Sequence, residues 1–219
     1  MIRCVTGIVG RVFVVVALFV LAYIVFDASL VSRSSALDAE MIMAQPDGDD
    51  FDFAAWRQLS EDIVGWIRVD GTNIDYPVLQ AEDNQYYLSR NYKGEFAPAG
   101  SAFLDYKNDV LADDFLIIYG HRMSYGKMFS DVTKFADAGY FDEHRGGMFY
   151  DENGAHALDV VGFAKISAES EIYSLRADAK QVMQNVAIHW REPSGERFIL
   201  LSTCDANNRA LRDVLLLNY

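Results

Sequence analysis

The chain reads as a mainly β protein whose folded part is an antiparallel or mixed barrel. Short apolar runs bounded by turn residues recur from Trp66 to Leu217, and few helical periodicities separate them. A long uninterrupted apolar run stands apart from these, near the N-terminus.

That run covers Val12 to Phe26, about 15 residues, and Ile2, Cys4, Val5, Ile8 and Val9 extend it toward the N-terminus. At roughly 1.5 Å per helical residue, the run and its flanks together suffice for a hydrocarbon core of about 30 Å. Arg3 and Arg11 precede the run and Asp27 follows it, so the expectation is a single-pass signal anchor in the cell membrane. Its N-terminus would be cytosolic and the bulk of the chain extracellular. A cleaved signal peptide is the competing reading. Residues 28–50 are polar and acidic and close on Pro46, Asp47 and Gly48, which suits a stalk. The expected organisation is therefore anchor 1–27, stalk 28–50 and folded domain 51–219.

Within the domain, Phe53, Trp56, Leu59 and Ile63 fall at helical intervals, predicting a helix over 51–63. Trp66 to Val69, a turn at Asp70-Gly71-Thr72, and Ile74 to Leu79 predict a hairpin. Gly100 to Tyr106 and Phe115 to Tyr119 predict further strands, the second apolar on both faces and so central. Residues 128–144 have a helical pattern. Met148 to Tyr150 and Ala157 to Ile166 flank the turn Asp151-Glu152-Asn153-Gly154, a second hairpin. A helix over 178–190 precedes the last strands, Phe198 to Thr203 and Leu211 to Leu217.

Charge excludes one class of partner. The formal net charge is −13, and the chain beyond the apolar run keeps all 32 acidic residues while losing two of 19 basic ones. A nucleic-acid partner is not expected. No compact Ca-loop pattern occurs, and no metal or other cofactor is expected.

The chemistry centres on Cys204, which ends the apolar run Phe198 to Thr203. With Cys4 in the apolar segment, Cys204 has no partner in the folded domain, and an unpaired thiol in an oxidising compartment is usually there to react. A cysteine nucleophile needs a base and an oxyanion donor. Of the four histidines, His121 alone shares its placement, just past a buried strand; His144, His156 and His189 remain alternatives. Arg209 and Arg212 both lie within reach downstream, and a returning strand favours Arg212.

Tyr119-Gly120-His121, Leu201-Ser202-Thr203-Cys204 and Arg212 together resemble the signature of the sortase family, and further segments are similar to class B. These are Asn84 to Glu95, Gly100 to Tyr106, Ile118 to Met123 and Met128-Phe129, so the resemblance runs from about Phe53 to the C-terminus. The resemblance implies a β-barrel of about eight strands, with an N-terminal helix and a helix between the sixth and seventh strands. It implies a membrane-anchored cysteine transpeptidase acting on the C-terminal sorting signal of a surface protein and joining it to a peptidoglycan precursor or another cell-wall amine. Cys204 would form a thioester, His121 would act as acid and then base, and Arg212 would hold substrate and oxyanion. Asn84, Leu88 and Tyr173 would line the groove, with Ser202 and Asp205 flanking the nucleophile. A pilin-polymerising class C sortase, a plain cysteine peptidase and a silent surface scaffold are the other readings. The lid motif Asp-Pro-aromatic of class C is not found between Asp27 and Gly65.

Overall fold

The computed structural model describes residues 11, 13–26, 43–48, 50–123, 126–174, 178–205, 208 and 210–219. The chain divides into two compact units, 1–44 and 45–219.

In the first unit Arg11 and residues 13–26 are helical, within helix α1. At roughly 1.5 Å per residue the described stretch 13–26 spans about 21 Å, against a hydrocarbon core of about 30 Å. Among the described residues no helix is long and apolar enough to cross a membrane. The expected single-pass anchor, with its cytosolic N-terminus and membrane partner, is corrected on that ground. The flanks Ile2 to Val9, on which the required length depended, lie outside the described residues, as does most of the expected stalk.

The second unit opens with α2 (Phe53–Leu59), capped by Asp52, whose carboxylate accepts from the Ala55 N–H at 2.9 Å. The helix is shorter than its apolar spacing predicts. Ser60 takes extended dihedrals, and Ile63 becomes the first residue of β1 (Ile63–Val69) instead of a last helical turn. Trp56 packs its ring 5.4 Å from that of Trp66, fixing α2 against the strand.

The remaining strands are β2 (Asp75–Leu79), β3 (Ala102–Leu104), β4 (Phe115–Tyr119), β5 (Gly146–Asp151), β6 (Gly154–Ser167), β7 (His189–Trp190), β8 (Phe198–Cys204) and β9 (Leu211–Asn218). They follow the order β5-β1-β2-β3-β4-β8-β9-β6-β7, and β5 also pairs with β6. That last pairing closes eight strands into a barrel and leaves β7 as a two-residue addition on β6. Closure removes the unpaired edges that an open sheet would present. Both predicted hairpins are present, β1–β2 and β5–β6.

Two further helical expectations were too long. Residues 128–144 split at Asp137 into a 3₁₀ helix (Phe129–Ala136) and α3 (Ala138–Glu143). Asp137 is extended and its side chain accepts from the Tyr140 N–H at 2.8 Å, so it ends one helix and caps the next. After β6 come a 3₁₀ turn (Glu171–Tyr173) and α4 (Ala179–Val186), which lies between β6 and β7. Ala187 is extended and the Ile188 N–H bonds to the Phe163 carbonyl at 2.8 Å, so His189 and Trp190 join the sheet.

Two apolar layers sandwich the barrel wall. Ile67, Leu116, Ile118, Phe163, Ile199, Leu201, Leu215 and Leu217 fill the interior with Phe129 and Phe135. Phe115, Ile117, Leu200, Val214 and Leu216 face outward and are covered by Ile172, Ala179 and Met183 of the β6–β7 crossover. Strand alternation thus assigns every second residue of β8 to the outer face, and Cys204 continues the row of Leu200 and Ser202.

Candidate active site

β4 and β8 are neighbours and parallel, in the register Phe115↔Phe198 through Tyr119↔Ser202. The Gly120 N–H extends the ladder to the Ser202 carbonyl at 3.1 Å. Parallel pairing brings both strand ends to one rim, and His121 and Cys204 each stand two residues beyond the Tyr119–Ser202 pair. Gly120 is required between them: a Cβ there would lie 2.6 Å from the Phe129 ring. The His121 backbone is fixed in turn, its carbonyl accepting from the Phe129 N–H at 3.0 Å.

On the other side of β8, the antiparallel partner β9 sets Arg212 directly opposite Cys204. Directly paired residues of antiparallel strands project on the same face with Cα atoms about 4.5–5.5 Å apart. Cys204 is a free, exposed thiol, flanked by strands that carry His121 on one side and Arg212 on the other. Arg209, the alternative arginine, lies outside the described residues.

Each proposed groove residue has a defined place. The His121 Nε2–H donates to the Leu88 carbonyl at 2.7 Å, which puts the ring proton on Nε2 because a carbonyl only accepts. Leu88 belongs to a 3₁₀ turn (Tyr86–Ser89), so its backbone holds His121 while its side chain stays partly exposed. Asn84 is engaged within the protein: its Nδ2 donates to Asp105 Oδ2 at 2.8 Å and its Oδ1 accepts from the Tyr106 N–H at 2.9 Å. Ser202 is buried and its Oγ shares a 2.8 Å hydrogen bond with the Tyr173 hydroxyl. Asp205 shapes the turn after β8, accepting from the Asn208 N–H at 2.9 Å and from Lys165 Nζ at 2.6 Å.

Tyr119 and Asp105 are parts of this site that residue spacing did not single out. The Tyr119 hydroxyl donates to Asp105 Oδ2 at 3.0 Å, the same oxygen that Asn84 holds. The Tyr119 ring stacks on Tyr173 with centroids 6.2 Å apart. The signal available in the sequence was a polar-tipped residue ending an otherwise aliphatic strand, Phe115 to Tyr119. Burial, and then the Asp105 carboxylate, push the Tyr119 phenol well above its ordinary range. Burial also pushes Tyr173 up to about 12, opposed by its bond to Ser202 and by the Arg212 guanidinium. Both phenols are therefore neutral at physiological pH, and Arg212 acts on both, consistent with its placement on the Cys204 face.

The other three histidines serve elsewhere. His144 stacks on Tyr140, His156 lies 3.1 Å from Asp151, and His189 bonds to the Ala136 carbonyl at 2.9 Å. Among the described residues no group of three or more His, Cys, Asp or Glu side chains could hold a metal ion.

No family model matches the chain. It is 38% identical over 162 residues to sortase B of Listeria monocytogenes, an alignment covering 68% of this chain and 65% of the Listeria protein. The chain thus spans slightly less than two thirds of that relative's length. Among solved structures, sortase B of Clostridium perfringens superimposes with a TM-score of 0.69 at 26% identity, over 76% of this chain and 98% of that one. A Bacillus anthracis protein similar to sortase B superimposes with a TM-score of 0.65 at 35% identity, over 75% of this chain and 80% of that one. The barrel order, the crossover helix α4 and these likenesses agree, and the chain belongs to the class B sortases.

Proposed function

We propose that the chain is a cysteine transpeptidase that cleaves a C-terminal sorting signal through a thioester and transfers the acyl part to a cell-wall amine, such as that of a peptidoglycan precursor. The observation that carries this reading is the register. The pairs Tyr119↔Ser202 and Cys204↔Arg212 bring the end of β4, which His121 follows by two residues, and Arg212 of β9 to either side of Cys204 on β8.

Cys204 Sγ attacks the carbonyl carbon of the scissile peptide bond, and the carbonyl oxygen takes up the negative charge. The Arg212 guanidinium, always charged and opposite the thiol, stabilises that oxyanion. His121, as the imidazolium, gives its proton to the departing amine as the C–N bond breaks, leaving a thioester on Cys204. An incoming amine then attacks the thioester carbonyl, His121 accepts the proton it sheds, and the thiolate leaves. Holding the imidazole by the Leu88 carbonyl restricts its ring to one orientation and lowers the cost of aligning it. Leu88 and Tyr173 line the groove, Ser202 and Asp205 flank the nucleophile, and Asn84 holds the neighbouring loop through Asp105 and Tyr106.

The test is Cys204→Ala with a panel of sorting-signal peptides. Hydrolysis and amine-dependent transfer should both vanish while the circular dichroism spectrum and melting temperature hold. Normal turnover by a folded Cys204→Ala protein would end this reading.

A further inference from the structure

Behind the sheet face that carries Cys204 and Arg212, the same barrel rim is ionic. Cross-strand register sets Lys165 of β6 opposite Asp213 of β9, and Asp213 opposite Thr203 of β8. Asp213 is fully buried. Its Oδ1 accepts from Lys165 Nζ at 2.5 Å and its Oδ2 from Arg122 Nη1 at 3.5 Å. Lys165 Nζ also donates to Asp205 Oδ2 at 2.6 Å. Beside them the Thr203 hydroxyl is buried without a hydrogen-bond partner. A polar group in that condition costs stability.

The connectivity of this cluster is its significance. Arg122 follows His121, Thr203 and Asp205 flank Cys204, and Asp213 follows Arg212. One buried carboxylate and one ammonium thus tie together the three segments that present the reacting groups. Removing a cation from a carboxylate held out of water leaves an uncompensated charge, so the placement of the three segments depends on Lys165 and Arg122. Misplacement of reacting groups by about 1 Å can cost on the order of 100-fold in rate.

We propose that Asp213 and Lys165 are positioning residues that set the mutual geometry of Cys204, His121 and Arg212. The proposal rests on the reading of Cys204 as the nucleophile, and its test is chosen to fail separately from it. Lys165→Met, Lys165→Arg and Asp213→Asn full-length proteins are compared with the wild type for kcat, KM, melting temperature and the rate at which iodoacetamide alkylates Cys204, read by peptide mass spectrometry. Lys165→Met should lower kcat about 10-fold or more, leave KM within about twofold and change the alkylation rate about threefold or more. Lys165→Arg, which keeps a cation between the two carboxylates, should recover most of the loss.

A folded Lys165→Met protein with wild-type kcat and wild-type alkylation overturns the proposal, as does a loss that only follows the melting temperature. Should Asp213→Asn fail to fold, the Lys165 pair decides. If the wild type itself turns over no sorting-signal peptide, the activity reading falls while the alkylation rates still decide the positioning role.

Discussion

Arg212→Ala is the perturbation whose size the structure sets most directly. Register places Arg212 directly opposite Cys204, and a guanidinium brought to about 5 Å from the developing oxyanion sets the scale. At an effective dielectric of about 20, a unit charge at about 5 Å is worth roughly 3 kcal/mol. Loss of an oxyanion donor is worth a similar amount, about 100- to 1,000-fold in kcat. We therefore expect Arg212→Ala to lower kcat by about 100-fold, because the interaction develops with the negative charge. Arg212→Lys keeps the charge but loses the planar fork and should recover only part of the rate. Arg209→Ala is the charge-matched control and should change kcat less than about threefold. The assay is peptide cleavage and amine transfer under saturating peptide, with melting temperature followed in parallel. Equal losses for Arg209→Ala and Arg212→Ala would refute the reasoning.

Two further outcomes follow from Tyr173 and its neighbours. Tyr173→Phe leaves the buried Ser202 hydroxyl without its 2.8 Å partner, which should destabilise the fold by about 1–2 kcal/mol in denaturant titration; no change in midpoint would contradict that bond. The alkaline limb of stability should be steep, because burial pushes Tyr173 and Tyr219 up to about 12 from an ordinary value of about 10. The unfolded chain loses these protons first, so stability is full below about pH 10 and is lost as pH rises toward about 12. Tyr173 alone accounts for about 3 kcal/mol of that loss, and Tyr219, being more exposed, for less. Denaturant midpoints that stay flat between pH 10 and 11.5 would refute this, and Tyr173→Phe should flatten the slope.

How much of this was legible in the sequence differs by element. The two hairpins were readable because Asp70-Gly71 and Asn153-Gly154 are turn chemistry flanked by apolar runs. The segments 51–63 and 128–144 were read as single helices because apolar spacing does not register a side chain that competes for the backbone, as Asp137 does, or a residue taken by a neighbouring strand, as Ile63 is. The apolar N-terminal run measured hydrophobicity, whereas spanning depends on helical length, and no helix among the described residues is long and apolar enough.

At the site, strand ends pointed to Cys204 and offered His121 and Arg212 among alternatives that the family resemblance decided, while the geometry depended on pairing that no local pattern specifies. The parallel β4–β8 contact joins residues about 80 apart in sequence. Tyr119 and Asp105 entered only as members of matching segments, because their significance lies in a hydrogen bond between them. Asn84 was picked as a groove residue, and the structure shows both ends of its amide used within the protein.

The central claim is that Cys204 carries the acyl group. The most direct measurement is mass spectrometry of the protein quenched during turnover of a sorting-signal peptide in the absence of added amine. The account predicts a mass increase equal to the acyl part of the cleaved peptide, located on the peptide containing Cys204, removed by hydroxylamine and absent from Cys204→Ala. Cleavage by Cys204→Ala, or an adduct on any residue other than Cys204, would contradict it.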